Sequence, residues 1–150
     1  MIKKINIQNK LINHLMRNGK KKTSEKVLLK SFKDLQKRSK KKSRNIIKLA
    51  LIYSTPIFKF HRIKNKKVKK RTNNVREIPS FISNTRSRTS LAIKFILTSI
   101  KNKKEHKSYK KLKNEIILNA TNKSNNIQVK NDLQKNILVK KHYFLYYRWH

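Results

Sequence analysis

The sequence lacks cysteine altogether and is poor in glycine, proline and acidic residues, with one, two and six of them among 150 residues. The absence of cysteine excludes disulfide bonds, thiolate zinc sites and cysteine nucleophiles. Long hydrophobic runs are also missing. The best candidate, 46–53, is interrupted by Lys48 and falls well short of the ~18 residues that a membrane-spanning helix needs. The first residues lack the apolar core and cleavage site of a secretory signal. No membrane partner is therefore expected.

The single glycine, Gly19, precedes a run of lysines that invites comparison with a nucleotide-binding phosphate loop. That motif requires a second glycine five residues earlier and a hydroxyl residue directly after the Gly-Lys pair. The earlier position is His14, and Lys21 stands where the hydroxyl residue is needed. Gly19 is instead predicted to end the first helix, in the left-handed conformation of a C-terminal cap.

Acidic residues are too few and too scattered to suggest catalysis. General acid–base chemistry with paired carboxylates needs two acids that converge on one site, whereas each of the six stands alone among lysines and is interpreted as local charge relief. The five histidines show no metal-ligand spacing. The sequence predicts no enzyme, no metal site and no cofactor. His61 is interpreted as facing RNA or solvent, not as a catalytic base.

What the sequence has in abundance is positive charge. Lysine and arginine total 42 against six acids, a formal net charge of +36. Such a chain repels itself unless a polyanion neutralises it, and nucleic acid is the natural partner because basic side chains displace counterions from its phosphates. The dominance of Lys, Asn and Ile indicates a strongly AT-biased genome. An organellar origin, with the protein made where it works, fits that bias.

Apolar residues recur at helical spacing in most of the chain. The first three helices are predicted at about 6–17, 23–38 and 43–54, the last ended by Pro56. A fourth is headed by Arg86 and Arg88, a fifth lies around Leu112, and a sixth begins near Leu133 and runs into the aromatic end. The predicted fold is mainly α, a single domain covering 1–150, with about six helices and a protruding two-stranded β-hairpin.

The hairpin is predicted at about 57–80. Phe58 and Phe60 alternate with polar residues, a period typical of a strand, and a second alternating piece, 75–78, leads into Pro79. Between them lies a strongly basic tip that ends in a turn-prone Asn pair. Because an isolated two-stranded ribbon is marginal in water, the hairpin should lean on the helices or on a partner.

The C-terminal end is rich in aromatic residues and carries Arg148 among them. Tyr143 and Phe144 are predicted to pack inside the fold. An RNA or protein contact is favoured for Tyr147, Arg148 and Trp149, since aromatic side chains can stack on bases.

Three blocks of the sequence, in the same order, resemble small-subunit ribosomal protein seven, the family of universal head-assembly proteins of the ribosome. "LINHLMRNGKKKTSEK" (11–26) is similar to the family's first helix and the basic turn after it. "REIPSFISNTRSRTSLAIKFIL" (76–97) resembles the exit from its hairpin and the start of its fourth helix, as written in mitochondrial members. "YFLYYRW" (143–149) resembles its ending.

The resemblance implies a structural protein of the small ribosomal subunit. It would bind the 3′ major domain of small-subunit rRNA, nucleate head assembly beside neighbouring small-subunit ribosomal proteins, and place its hairpin near the exit-site tRNA and the mRNA path. It also implies a mitochondrial location, with a plastid-type organelle as the alternative. The residues that match RNA-binding positions are Lys20, Lys21, Lys22, Lys69, Lys70, Arg71, Arg86, Arg88, Lys94, Arg148 and Trp149.

Two other functions fit the composition alone. A nucleoid-type DNA-binding protein would also carry a large positive charge, and so would a cationic membrane-active polypeptide. The three ordered blocks argue against both of these functions.

Overall fold

The computed structural model describes residues 6–39, 42–64, 75–105 and 107–146, and within them it shows six α-helices, a two-stranded antiparallel hairpin and a short 3₁₀ helix. The predicted class, mainly α with a β-hairpin, is confirmed. In chain order the elements are α1 (Ile7–Leu15), α2 (Lys21–Arg38), α3 (Ser43–Ser54), β1 (Phe58–Lys64), β2 (Val75–Phe81), α4 (Thr85–Lys101), α5 (Ser108–Ala120), α6 (Asn125–Val139) and the 3₁₀ helix (Lys141–Tyr146).

Side-chain caps explain where three of the helices begin. Asn6, Asn84 and Ser124 accept hydrogen bonds from backbone N–H groups in the first turns of α1, α4 and α6, which would otherwise lack partners. The predicted bounds of α3 are confirmed. The predicted start of α6 near Leu133 is wrong, because the helix begins at Asn125, directly after its serine cap. Its first turn is mostly polar, so apolar periodicity could not reveal it.

Helix α5 lies at the centre of the core and contacts α2, α3 and α4. The apolar stripes of α2, α3 and α4 face this helix, as the helical spacing predicts. Within the described ranges, none of the helices combines the length and the hydrophobicity needed to cross a membrane. The buried apolar side chains of α2, α3, α4 and α5 are Leu28 and Leu35 of α2, Ile46, Ile47, Ala50 and Leu51 of α3, Ala92, Ile93 and Ile96 of α4, and Leu112 and Ile116 of α5.

The hairpin pairs β1 with β2 in an antiparallel register that runs from Phe58 opposite Phe81 to 64 opposite 75. Strand β2 continues through Pro79, beyond the predicted 75–78, because each strand of a two-stranded sheet has an outer edge where a missing N–H is tolerated. The base of the hairpin packs on the C-terminal segment, where the Phe58 and Phe144 rings lie 5.5 Å apart. The expected support from the helices and the packing role of Phe144 are both confirmed.

The turn between α1 and α2 departs from the prediction. Gly19 has φ +70°, so its left-handed conformation is confirmed. Its predicted role as the cap of the first helix is wrong, because α1 ends at Leu15 and Met16 follows in an extended conformation. Gly19 belongs to a separate turn in which Asn18 also has a positive φ and the Lys21 N–H donates to the Gly19 carbonyl oxygen at 2.8 Å. This turn leads the chain into α2.

Candidate nucleic-acid interface

The structure describes six of the eleven predicted RNA-binding residues, and they fall into two groups. Lys20, Lys21 and Lys22 lie where the α1–α2 turn enters α2, whereas Arg86, Arg88 and Lys94 lie on α4. The other five lie outside the described residues: Lys69, Lys70, Arg71, Arg148 and Trp149. Tyr147 and most of the basic hairpin tip, 65–74, lie outside them as well.

The three lysines of the α1–α2 turn are exposed. The Lys21 ammonium lies 3.9 Å from the Glu25 carboxylate, with the two side chains 65% and 40% exposed. An exposed pair of this kind contributes at most about 1 kcal/mol, so Lys21 can exchange Glu25 for a phosphate at little cost. The N-terminal end of α2 has no side-chain cap, and its dipole adds to the local preference for an anion. The turn therefore presents a positive surface to solvent.

Helix α4 and the base of the hairpin enclose a second basic surface. Lys59 of β1 and the exposed Arg86 and Lys94 of α4 line a cavity of about 360 Å³. Arg86, Ser90 and Lys94 recur every fourth residue, which places them on one face of the helix. Among the described residues, the others that line this cavity are Ile82, Ser87, Ser90 and Leu91, and none of its described lining residues carries a carboxylate. Three cations with intervening hydroxyls form a surface suited to the phosphate backbone of a nucleic acid.

Arg88 differs from its neighbours because the fold itself uses its guanidinium. Its Nε donates to the carbonyl oxygen of Ile82 at 2.5 Å, and its charged carbon lies 4.8 Å from the centre of the Phe81 ring. Both partners belong to the chain as it leaves the hairpin, so Arg88 holds the hairpin exit against α4. The predicted RNA contact of Arg88 stays a prediction, beside this structural role.

Lys10 was not predicted from the sequence, yet it positions α4. Its Nζ donates to the Arg86 carbonyl oxygen at 2.7 Å and lies 3.0 Å from Thr89 Oγ1 and 3.3 Å from Ser90 Oγ. Burial, followed by the charge of Arg86, lowers the pKa of Lys10. These contacts tie α1 to the first turns of α4 and thereby orient the basic face of that helix. No local pattern could reveal them, because the partners are 76–80 residues away.

Glu115 is the deeply buried carboxylate of the described part of the chain, and its role corrects its interpretation as mere charge relief. One carboxylate oxygen accepts from the Ser124 hydroxyl and from Asn119 Nδ2, and the other lies 2.7 Å from the Lys103 ammonium. The Ser54 hydroxyl extends the network by donating to Asn119 Oδ1 at 2.7 Å. Through these contacts Glu115 connects α5 with the cap of α6 and the α4–α5 loop, and through Asn119 it connects with α3. Both of its carboxylate oxygens have partners, so its role is structural.

No group of three His, Cys, Asp or Glu side chains that could hold a metal ion occurs among the residues that the structure describes. His61 is exposed on β1. The arrangement of the described residues is that of a positively charged binding surface on a helical scaffold.

Comparison with known proteins identifies the family of this chain. The family model of ribosomal protein S7p/S5e matches residues 2–137. The small ribosomal subunit protein uS7 of Anaeromyxobacter sp. (strain Fw109-5) is 31% identical over 140 residues, which cover 93% of this chain and 85% of that protein. The uS7 protein of Desulfatibacillum aliphaticivorans is 30% identical with the same coverage. The chain therefore belongs to the ribosomal protein S7p/S5e family, a class of structural, non-enzymatic proteins.

Proposed function

We propose that this chain is a structural RNA-binding protein of the small ribosomal subunit, as its family membership supports. The observation that carries the RNA-binding part is the cavity lined by Lys59, Arg86 and Lys94, where three cations meet and no carboxylate from the described part of the chain is present. The exposed lysines Lys20, Lys21 and Lys22 of the α1–α2 turn provide the other basic surface. Both surfaces contact phosphates, which fixes the position of the protein on folded RNA without reading base sequence.

We further propose the 3′ major domain of the small-subunit rRNA as the target, with head assembly as the outcome. In this proposal the chain acts as a single domain over 1–150. It contacts neighbouring small-subunit ribosomal proteins and places the hairpin near the exit-site tRNA and the mRNA path. The packing of Phe58 on Phe144 and the Arg88 contacts support this placement, because they hold the base of the hairpin against the 3₁₀ helix and α4.

The binding proposal is tested by the salt dependence of affinity for an rRNA fragment that contains the 3′ major domain. The double variant Arg86→Ala/Lys94→Ala removes two cations from the cavity that Lys59, Arg86 and Lys94 line, called the α4 cavity below. It leaves the backbone carbonyl of residue 86 that Lys10 binds. Each lost phosphate contact should lower the slope of log affinity against log salt by roughly 0.7–0.9. The control Lys123→Ala/Lys135→Ala removes the same charge from two exposed positions outside the described basic surfaces.

A slope loss in the α4 variant that clearly exceeds that of the control supports the proposal, provided that both variants keep the wild-type helix content by circular dichroism. Equal slopes for the two variants would show that the α4 cavity does not contact phosphate. Tighter binding to duplex DNA than to the rRNA fragment would favour the nucleoid-type alternative.

For location we propose the small subunit of a mitochondrial ribosome, on the basis of the AT-biased residue usage and the match of 76–97 to mitochondrial members. The chain should then sediment with the small ribosomal subunit of isolated mitochondria at moderate salt. Recovery with plastid ribosomes would place it in that organelle instead. Recovery mainly with DNA or lipid would contradict the ribosomal role altogether.

A further inference from the structure

A second cavity, of about 290 Å³, lies where α1, α2, α4 and α5 meet, and its lining differs in character from that of the α4 cavity. Its floor is aliphatic, built from one or two side chains of each helix. Its rim is polar and positively charged. The floor residues are Leu15, Val27, Leu97, Ile100 and Leu112, and the rim residues are His14, Arg17, Lys20, Thr23, Lys101 and Ser108. The buried Ser24 also lines the cavity.

The rim attracts anions. Arg17, Lys20 and Lys101 are all exposed, and none of the described residues that line the cavity is acidic. His14 stands at the same rim in a positive field: burial, and then the charges of Lys94 and Lys10, lower the pKa of its imidazole. A negatively charged group that entered the rim would meet these three exposed cations.

The aliphatic floor favours a ligand that also has an apolar surface. Four of its side chains are half-buried and Leu112 is buried, so they form an apolar surface at the bottom of a charged opening. A lone phosphate, or the backbone of a duplex, would use the rim and leave the floor in contact with water. An unstacked nucleotide uses both parts, because its base has an apolar face and its phosphate lies close by. Unstacked bases of single-stranded segments are also what most RNA-binding proteins recognise by sequence.

We propose that this cavity binds one unstacked nucleotide of single-stranded RNA, with the base on the aliphatic floor and the phosphate held by Arg17, Lys20 and Lys101. The hydroxyls of Thr23 and Ser24 already donate to the Lys20 carbonyl oxygen, so Ser108 and His14 are the rim groups left to meet the base edge. This inference rests on the proposed RNA-binding function and adds to it a site for an unpaired segment.

Photocrosslinking of the wild-type chain tests where the base lies. A short oligouridylate that carries 4-thiouridine should crosslink within 97–101 or beside Leu15, and a blunt duplex of the same length should not compete efficiently. Crosslinks confined to other segments would overturn the proposal. Because this measurement uses the unaltered protein, its outcome does not depend on whether a variant folds.

Affinity measurements test the rim. Lys101→Glu should weaken binding of the labelled oligouridylate by about tenfold more than the control Lys123→Glu, because it removes one charge-assisted contact with phosphate; a tenfold loss corresponds to about 1.4 kcal/mol. Binding of the duplex should fall to a similar extent in both variants. Equal losses of oligouridylate binding in the two variants would overturn the proposal.

The competing occupant is an acidic protein segment with an apolar side chain. A peptide of alternating Asp and Leu that displaces the oligouridylate at lower concentration than unlabelled oligouridylate would assign the cavity to a protein partner and overturn the RNA assignment. If the rRNA fragment still binds while the crosslinks lie elsewhere, only this cavity's role fails. If no RNA binds at all, the proposed function itself fails.

Discussion

Replacing Glu115 by alanine should cost this fold about 2–4 kcal/mol of unfolding free energy, most of it from groups left without partners. Glu115 is 1% exposed. The variant removes the acceptor of the Ser124 hydroxyl and the counter-ion of Lys103. Breaking a buried ion pair by removing one partner typically costs 3–5 kcal/mol. The lower range applies here because the Lys103 side chain is 25% exposed and can turn toward water, and because Asn119 keeps its bond to the Glu115 backbone carbonyl.

Two further variants separate the sources of this loss. Glu115→Gln retains an acceptor for Ser124 and Asn119 but loses the charge that pairs with Lys103, so we expect about half the effect, ~1–2 kcal/mol. Glu25→Ala makes the same change in net charge at an exposed pair and should cost less than ~0.5 kcal/mol. Urea unfolding followed by circular dichroism measures all three. If Glu115→Ala lies within about 0.5 kcal/mol of Glu25→Ala, the buried network does not stabilise the fold and the reasoning fails.

Three other predictions concern the turn, the histidine and the hairpin exit. Gly19→Val should destabilise the fold by ~1–3 kcal/mol, because Gly19 has φ +70° and a β-branched residue is strained there even though a Cβ would meet open space. The control is Gly19→Asn, since asparagine tolerates this conformation. Similar urea midpoints for the two variants would contradict the prediction. The pKa of His14 is lowered below 6.5 in the folded chain, so the unfolded chain takes up this proton first and the unfolding free energy should fall as the pH drops below 6.5. In the variant His14→Gln, the unfolding free energy should lack that part of the decline. Identical pH profiles for the variant and the wild type would refute this prediction. Arg88→Ala should lower the thermal midpoint, because it removes the contacts with Ile82 and Phe81. Arg86→Ala should leave the midpoint nearly unchanged, because that side chain is exposed. Equal shifts in the two variants would show that Arg88 has no structural role.

Much of the fold follows from local patterns. The bounds of α3 and the apolar stripes of the core helices were predicted correctly because burial against one centre imposes a helical period on the sequence. The hairpin strands followed from alternation in the same way. The start of α6 could not be predicted so, since its first turn is polar and its position depends on the Ser124 cap. The role of Gly19 was also missed, because the end of α1 lacks a glycine cap and two consecutive positive φ angles form the turn instead.

The candidate interface was predictable only in part. Basic residues at Lys20–Lys22, Arg86 and Lys94 stood out in the sequence, and the structure places them on exposed surfaces. Lys59 was missed because a single lysine on a strand carries no distinctive pattern. The sequence also could not distinguish the roles of Arg88 and Arg86. Arg88 contacts the chain at the hairpin exit, whereas Arg86 lines a cavity.

The sequence by itself determined the kind of protein this is. A net charge of +36 favours a polyanionic partner, the sequence offers no cysteine for thiol chemistry, and the periodic apolar residues predict helices and a hairpin. Only the tertiary structure decided what individual charged residues do. Lys10, Arg88 and Glu115 act inside the fold, and their partners come from other elements of the chain. Charge is a property of composition, whereas the availability of a charge for binding depends on contacts between segments far apart in sequence.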